Sequence, residues 1–348
     1  MHFSCIPRRS RQLSDDDRPT KIILPDLVSH CDFPLRSNDH CARASKESEE
    51  WFLRGANLNK HRRAAFLALK AGSLTSTCYP HAPYHELRVC CDFMNYLFHL
   101  DDLMDDMKNS STWSLRDEVI GVLREPDMYK SSSRVGRMTK DFWVRLSASA
   151  TFGVESRFIK TFDAFFKAVT QQALDRQKGR IPDLESYIIM RRDTSGCRPC
   201  WALIEYANHL AIPDEVMEHP LLVSLGDAAN DLVTWSNDIF SYNAEQARGD
   251  THNMIVVVMQ QKRMSLQDAV DFVGSMCRQS IDRFIDDRAQ LPSWGPGIDD
   301  AVARYVQGLA DWIVGSLHWS FDSGRYFGDK GKEIKASRIV ELLPRVYQ

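Results

Sequence analysis

The amino-acid sequence predicts an all-α protein, and three observations carry that expectation. From about residue 46 onward apolar residues recur at helical spacing almost without interruption. Period-two alternation of the kind a half-buried strand needs is absent. Finally, chemistry-bearing residues repeat at the helical period: Asn237, Ser241 and Glu245 at i, i+4 and i+8, and Asp101 and Asp105 at i and i+4. On a helix each set shares one face, a turn apart. With no internal repeat, low-complexity linker or shift in composition, the expected architecture is one helical bundle around a central cavity, spanning 21–348, built from about a dozen helices.

The elements follow in order. Residues 1–20, rich in Arg, Ser and Asp, read as a disordered tail. Residues 21–45, with Pro25 and Pro34, read as an extended arm over the body. Trp51, Phe52 and Leu53, then Phe66, Leu67 and Leu69, fit amphipathic helices. Tyr79-Pro80-His81-Ala82-Pro83 is a break. Pro83 stands near a helix start with Glu86 in the first turn, and one helix runs from 85 to 106. Further helices are expected at 114–124, 135–149, 153–178, 183–194, 199–210, 214–218, 221–246, 253–260, 265–289, 298–322 and 333–343.

Composition narrows the function classes. The 348 residues are 43% hydrophobic with a net charge of −3, which gives no reason to expect nucleic acid or an anionic membrane as partner. No run approaches the ~18 apolar residues of a membrane span, and Met1 to Lys21 lacks the apolar stretch of a secretory signal. The nine cysteines include adjacent Cys90-Cys91 and a lone Cys197-Arg198-Pro199-Cys200, with no second pair at zinc-ribbon spacing; they read as unpaired thiols in the cytosol.

The polar sets carry the chemistry. Stepping back from Asp101 by threes and fours meets Phe98, Leu97, Met94, Cys91 and Cys90, so an apolar stripe runs straight into the carboxylates, with Asp102 beside them. Stepping back from Asn237 meets Val233, Asn230, Ala229, Gly226 and Leu222, where small side chains leave room. Carboxylates that continue a core stripe sit at the rim of a buried cavity and need metals or cations there. Oxygen donors stacked on a helix suit Mg²⁺, which shares its octahedral ligands with substrate phosphate. Two such faces suggest chemistry on a diphosphate.

Taken together, Asp101-Asp102-x-x-Asp105 and Asn237-Asp238-x-x-Ser241-x-x-x-Glu245 resemble the class I terpene synthases of fungal and bacterial type, over most of the chain. Tyr187 to Gly196, with Arg191-Arg192, looks like the family's diphosphate-sensing segment; Arg325-Tyr326 looks like its late Arg-Tyr pair; Leu24-Pro25-Asp26-Leu27 resembles the start of basidiomycete members. The chain departs from the pattern at Ala244, where several members carry Lys before the Glu, and Arg248 is a candidate to supply that phosphate contact.

The resemblance implies three Mg²⁺, with Mn²⁺ as a substitute, held by Asp101, Asp102 and Asp105 on one side and Asn237, Ser241 and Glu245 on the other. It implies that Arg191 or Arg192, with Arg325 and Tyr326, binds the phosphates, and that a carbonyl at the helix break by Gly196 faces the allylic carbon. A dry aromatic pocket is required, because water would quench a cation and ring faces stabilise one. Met94, Phe98, Trp312 and Trp319 are candidates for it. Residues 246–253, with Gly249 and Asp250, read as a cap that orders over diphosphate. The expected activity is that of a sesquiterpene synthase, monomer or homodimer, releasing diphosphate from farnesyl diphosphate. A linear alcohol synthase of nerolidol or linalool type, using farnesyl or geranyl diphosphate, is the alternative. A prenyl-chain-elongating synthase would need a second aspartate-rich motif, and a non-enzymatic scaffold leaves the carboxylates on apolar stripes unexplained.

Overall fold

In a computed structural model, which describes residues 19–105 and 109–345, helices account for nearly all regular structure. The arm enters as strand β1 (Lys21–Ile23) and an irregular stretch, then come α1 (Cys41–Ala56), α2 (Lys60–Leu69) and α3 (Ala71–Cys78). They are followed by α4 (Tyr84–Asp105), α5 (Asn109–Arg124), α6 (Arg134–Ser147) and α7 (Phe152–Gln177). Next are α8 (Leu184–Thr194), α9 (Cys197–Ala207), α10 (Asp214–Met217) and α11 (Pro220–Arg248). The chain closes with α12 (Met254–Lys262), α13 (Leu266–Ala289), α14 (Pro296–Asp322), α15 (Gly324–Phe327), α16 (Gly331–Ser337) and strand β2 (Ile339–Glu341).

Local chemistry explains the boundaries. Thr151, Asp183 and Asn253 accept hydrogen bonds from the backbone N–H groups of Val154, Ser186 and Ile255, capping α7, α8 and α12. Gly249, at φ 78°, ends α11 in the left-handed conformation that glycine adopts without steric cost. Packing then places the helices. Long α11 lies against α13 and α14, α4 against α1 and α3, and α7 against α5 and α9. Phe93, Phe142, Phe158, Phe162, Phe165 and Phe166 form one buried aromatic cluster joining α4, α6 and α7.

The all-α expectation holds in class, with one correction at the ends. Residues 333–343 do not form a helix throughout: α16 stops at Ser337, Arg338 turns left-handed, and β2 pairs antiparallel with β1 in the register Ile22 to Val340. The arm therefore begins as a strand, its Ile22 buried beside Val340. Among the described residues all eight cysteines are free. No helix among them is long and apolar enough to cross a membrane. Residues 1–18, which hold most of the expected tail, and Asp106 lie outside the described residues.

Candidate active site

A cavity opens between α4, α11, α14 and the break between α8 and α9. Each helix presents the residues its periodicity put on one face. Helix α4 contributes Met94, Leu97, Phe98 and Asp101; α11 contributes Val233, Thr234, Ser236 and Asn237; α14 contributes Trp312, Ser316, Trp319 and Ser320. The lining turns from apolar to polar toward the C-terminal ends of α4 and α11, and Arg325 and Tyr326 follow directly after α14. Contacts between those ends make them one rim. The Arg325 guanidinium lies 4.9 Å over the Phe98 ring, Phe98 stacks on Trp319 with centroids 5.8 Å apart, and Trp319 meets Tyr326 edge-on at 6.0 Å. Partial desolvation of the guanidinium opposes the charge on Arg325 at this exposed rim, and Tyr326, Asp101 and Asp102 outweigh it, for a net upward shift.

Asn237 is the hub of the rim. Its Oδ1 accepts from the Arg191 guanidinium at 2.8 Å, and its Nδ2 donates to the Tyr326 hydroxyl at 2.6 Å. Arg191 is held from behind by Asp238, whose Oδ1 accepts from its Nε at 3.1 Å and Nη2 at 2.9 Å. Asp238 is itself fixed by the Tyr187 hydroxyl (2.6 Å) and the Met254 backbone N–H (3.2 Å). For Arg191, burial works against the charge and Asp238 more than restores it, so it stays protonated. Ser241 and Glu245 continue the same face of α11 beyond the cavity lining. Asn253 donates its Nδ2 to Glu245 Oε2 at 2.9 Å and to the Asp238 carbonyl at 2.7 Å. Burial, with Asp238 nearby, pushes the Glu245 carboxyl up, while the Asn253 hydrogen bond holds it down in part. Ser241 Oγ is shielded from solvent with no hydrogen-bond partner. A desolvated carboxylate one turn from an orphaned hydroxyl and two turns from an amide oxygen is a donor set that a hard divalent cation fits.

The structure sorts the sequence expectations. It brings Asp101, Arg191, Gly196, Asn237, Arg325, Tyr326, Met94, Phe98, Trp312 and Trp319 to the cavity. Arg192 is not there: it is turned to α11, where Asp231 takes its Nε and Nη2 at 2.7 Å each and Asp227 its Nη1 at 2.8 Å. Asp102 is exposed, and the side chain of Asp105 lies outside the described residues. Arg248 is exposed and does not line the cavity. The end of the expected cap is anchored, with His252 and Asn253 buried. Sequence reasoning missed Asp238, Tyr187 and Asn253, which hold the site from behind. It also missed the small polar lining of Thr194, Thr234, Ser236, Ser316 and Ser320. Their signal was position: each lies three or four residues from a residue already singled out, or next to one.

Gly196 makes the break between α8 and α9 at φ 69°, and a Cβ there would come within 3.0–3.2 Å of the Leu97 methyls. The Gly196 carbonyl accepts from Cys200 Sγ at 3.3 Å.

Residues 92–283 match the family described as terpene synthase family 2, C-terminal metal binding. The sesquiterpene synthase Agr1 of Cyclocybe aegerita is 61% identical over 98% of this chain and 99% of that protein. An alpha-muurolene synthase of Coprinopsis cinerea is 52% identical over 96% and 80%. Among solved structures, germacradien-4-ol synthase from Streptomyces citricolor superposes with a TM-score of 0.73 at 26% identity, over 83% of this chain and 96% of that one. The chain belongs to the class I terpene synthases, lyases that act on prenyl diphosphates, and within them to the basidiomycete type.

Proposed function

We propose that the protein is a Mg²⁺-dependent sesquiterpene synthase that ionises farnesyl diphosphate and releases a sesquiterpene hydrocarbon or alcohol with diphosphate. The observation that carries this reading is the chain Arg191–Asn237–Tyr326 across one end of a cavity whose walls include Met94, Phe98, Trp312 and Trp319. Cationic and donor groups gather where a diphosphate would lie, and apolar and aromatic groups where its hydrocarbon would lie. The names of the similar basidiomycete proteins, sesquiterpene and alpha-muurolene synthases, support the chain length.

Asn237, Ser241 and Glu245 would hold one Mg²⁺, and Asp101, with Asp102 and Asp105, two more. Bound there, the metal supplies Lewis-acid neutralisation of the leaving diphosphate. Arg191 offers a planar, permanently charged fork to phosphate oxygens, presented by Asp238 at a fixed angle. Arg325 and Tyr326 add donors from the opposite wall. The Gly196 carbonyl and the aromatic faces then meet the positive charge left on carbon. The reaction breaks the bond between the allylic carbon and the diphosphate oxygen, the electron pair leaving with diphosphate. Incubation with Mg²⁺ and farnesyl diphosphate, with geranyl and geranylgeranyl diphosphate in parallel, tests this by assayed diphosphate release and gas chromatography of the extract. A C15 olefin or alcohol from the farnesyl substrate is expected; an elongated prenyl diphosphate, or no diphosphate release, overturns the reading.

A further inference from the structure

The polar side chains in the cavity wall share an orientation. Thr234 Oγ1 bonds to the Asn230 carbonyl at 2.9 Å, Ser236 Oγ to Val233 at 3.2 Å, Ser316 Oγ to Ile313 at 3.1 Å and Ser320 Oγ to Ser316 at 2.8 Å. Thr194 Oγ1 bonds to the Arg191 carbonyl at 3.4 Å, and Cys200 Sγ to Gly196. A carbonyl can only accept, so in every one of these contacts the hydroxyl or thiol spends its proton on its own helix, three or four residues back. What remains for the cavity is lone pairs. All of these residues are more than nine-tenths buried, so bulk water does not compensate those dipoles. The Trp319 indole behaves likewise: its Nε1–H is turned outward to the carbonyls of Leu69 and Lys70, which leaves the ring to the cavity. Trp312 is the exception, its Nε1–H buried without a partner. The charged and amide donors, on Arg191, Arg325 and Asn237, stand at the rim.

We infer that Thr234, Ser236, Ser316 and Ser320, with the Cys200 sulfur, form an acceptor-only lining that holds the positive charge of the hydrocarbon once diphosphate has left. This rests on the proposed function and adds to it. An ordinary hydroxyl can turn either end of its dipole to a ligand; a back-bonded one cannot, so its negative end is set before the cation forms and needs no reorganisation. The same geometry denies trapped water an O–H donor on these residues, which lowers its hold on the cavity. Donors at the rim serve the anion and acceptors in the wall serve the cation, so the site separates the two charges that the reaction creates.

The test compares a farnesyl-trimethylammonium ion with its neutral tert-butyl isostere, bound in the presence of Mg²⁺ and inorganic diphosphate and read by the fluorescence of the cavity tryptophans. The wild type is expected to prefer the cation. The Thr234→Val/Ser320→Ala variant, which keeps shape and removes two oxygens, is expected to lose about five- to tenfold of that preference, through the cation alone. Ser316→Ala alone, expected to lose about two- to threefold, serves if the double variant does not fold. With farnesyl diphosphate, the double variant should shift its products toward acyclic, early-quenched ones. A cation preference unchanged in both variants overturns the inference. Because the ammonium ion binds without turnover, a wild type that prefers it yet releases no diphosphate from farnesyl diphosphate refutes the substrate reading, not the lining.

Discussion

Two adjacent arginines, Arg191 and Arg192, show what a residue-scale reading can and cannot see. Neighbours on a helix point about 100° apart, so only one can face a given cavity, but the sequence does not say which. The answer lies in partners on another helix. Asp231 and Asp227 take Arg192, while Asp238 presents Arg191 to Asn237. Arg192→Ala leaves buried Asp231 with Arg283 alone, a loss of about 1–3 kcal/mol of stability. It should lower the melting temperature and leave diphosphate release within a few-fold of wild type. Arg191→Lys should do the reverse, keeping most of the stability and losing turnover by roughly 10²-fold, because an ammonium cannot reproduce the fork. Steady-state kinetics beside thermal melts decides, and a dead Arg192→Ala with an active Arg191→Lys would reverse the assignment. Asn237→Ala removes an amide oxygen from the proposed metal face. It should cut turnover by roughly 10²- to 10³-fold and abolish the rise in melting temperature that Mg²⁺ plus diphosphate brings.

At the scale of elements, the helices that line the cavity were legible because periodicity and chemistry coincide on them. The stripe from Cys90 to Asp101 and the face through Asn237 both became cavity wall. The two strands were not legible. Three residues are too few for a period-two pattern, and their pairing joins positions at opposite ends of the chain. What holds β2 there is α11: Asn243 donates to the Glu341 carbonyl at 3.0 Å and accepts from the Leu343 N–H at 2.7 Å, and Gln246 donates to the Leu343 carbonyl at 2.8 Å. These side chains flank Glu245, so the C-terminal strand braces the end of the proposed metal helix. Asn243→Ala should cost about 1–3 kcal/mol and weaken the apparent Mg²⁺ affinity severalfold. Thermal melts with and without Mg²⁺ and diphosphate measure both, and an unchanged Mg²⁺ dependence would make the brace irrelevant to the site. The break between α8 and α9 is the other junction with a consequence. Gly196→Ala forces a side chain into φ 69° and against Leu97, at about 1–3 kcal/mol of strain. Since Leu97 lines the cavity, the product ratio should shift along with stability, as chromatography of the products would show.

For the whole molecule, the question is what changes when a diphosphate arrives. The rim is linked across the cavity, Asn237 to Tyr326 and Arg325 over Phe98, so the two walls touch. Arg191 occupies the Asn237 oxygen that a metal would need, and a phosphate is the partner that could draw Arg191 away. Filling the site therefore means exchanging contacts at the rim while Asp238, Tyr187 and Asn253 keep the frame behind it. We expect the response in two short segments: Gly249 to Thr251, between the end of α11 and buried His252, and α15, which carries Arg325 and Tyr326 after the last long helix. The sequence pointed to a cap over 246–253, but Gln246 and Ala247 are buried in the last turn of α11 and His252 and Asn253 are buried beyond it, which narrows the cap to Gly249–Thr251. Mg²⁺ plus diphosphate should slow amide hydrogen exchange at 249–251 and 324–327 and leave α13 unaffected. It should also add about 2.7 kcal/mol of stability at a hundredfold excess over the dissociation constant, since only the folded state binds. Arg325→Ala removes a phosphate donor and a ring contact at the surface, away from the frame. It should leave the ligand-free melting temperature nearly unchanged and erase most of the protection at 324–327. Protection that persists in Arg325→Ala would mean that α15 orders through Tyr326 and Asn237 alone, with the arginine a bystander to closure.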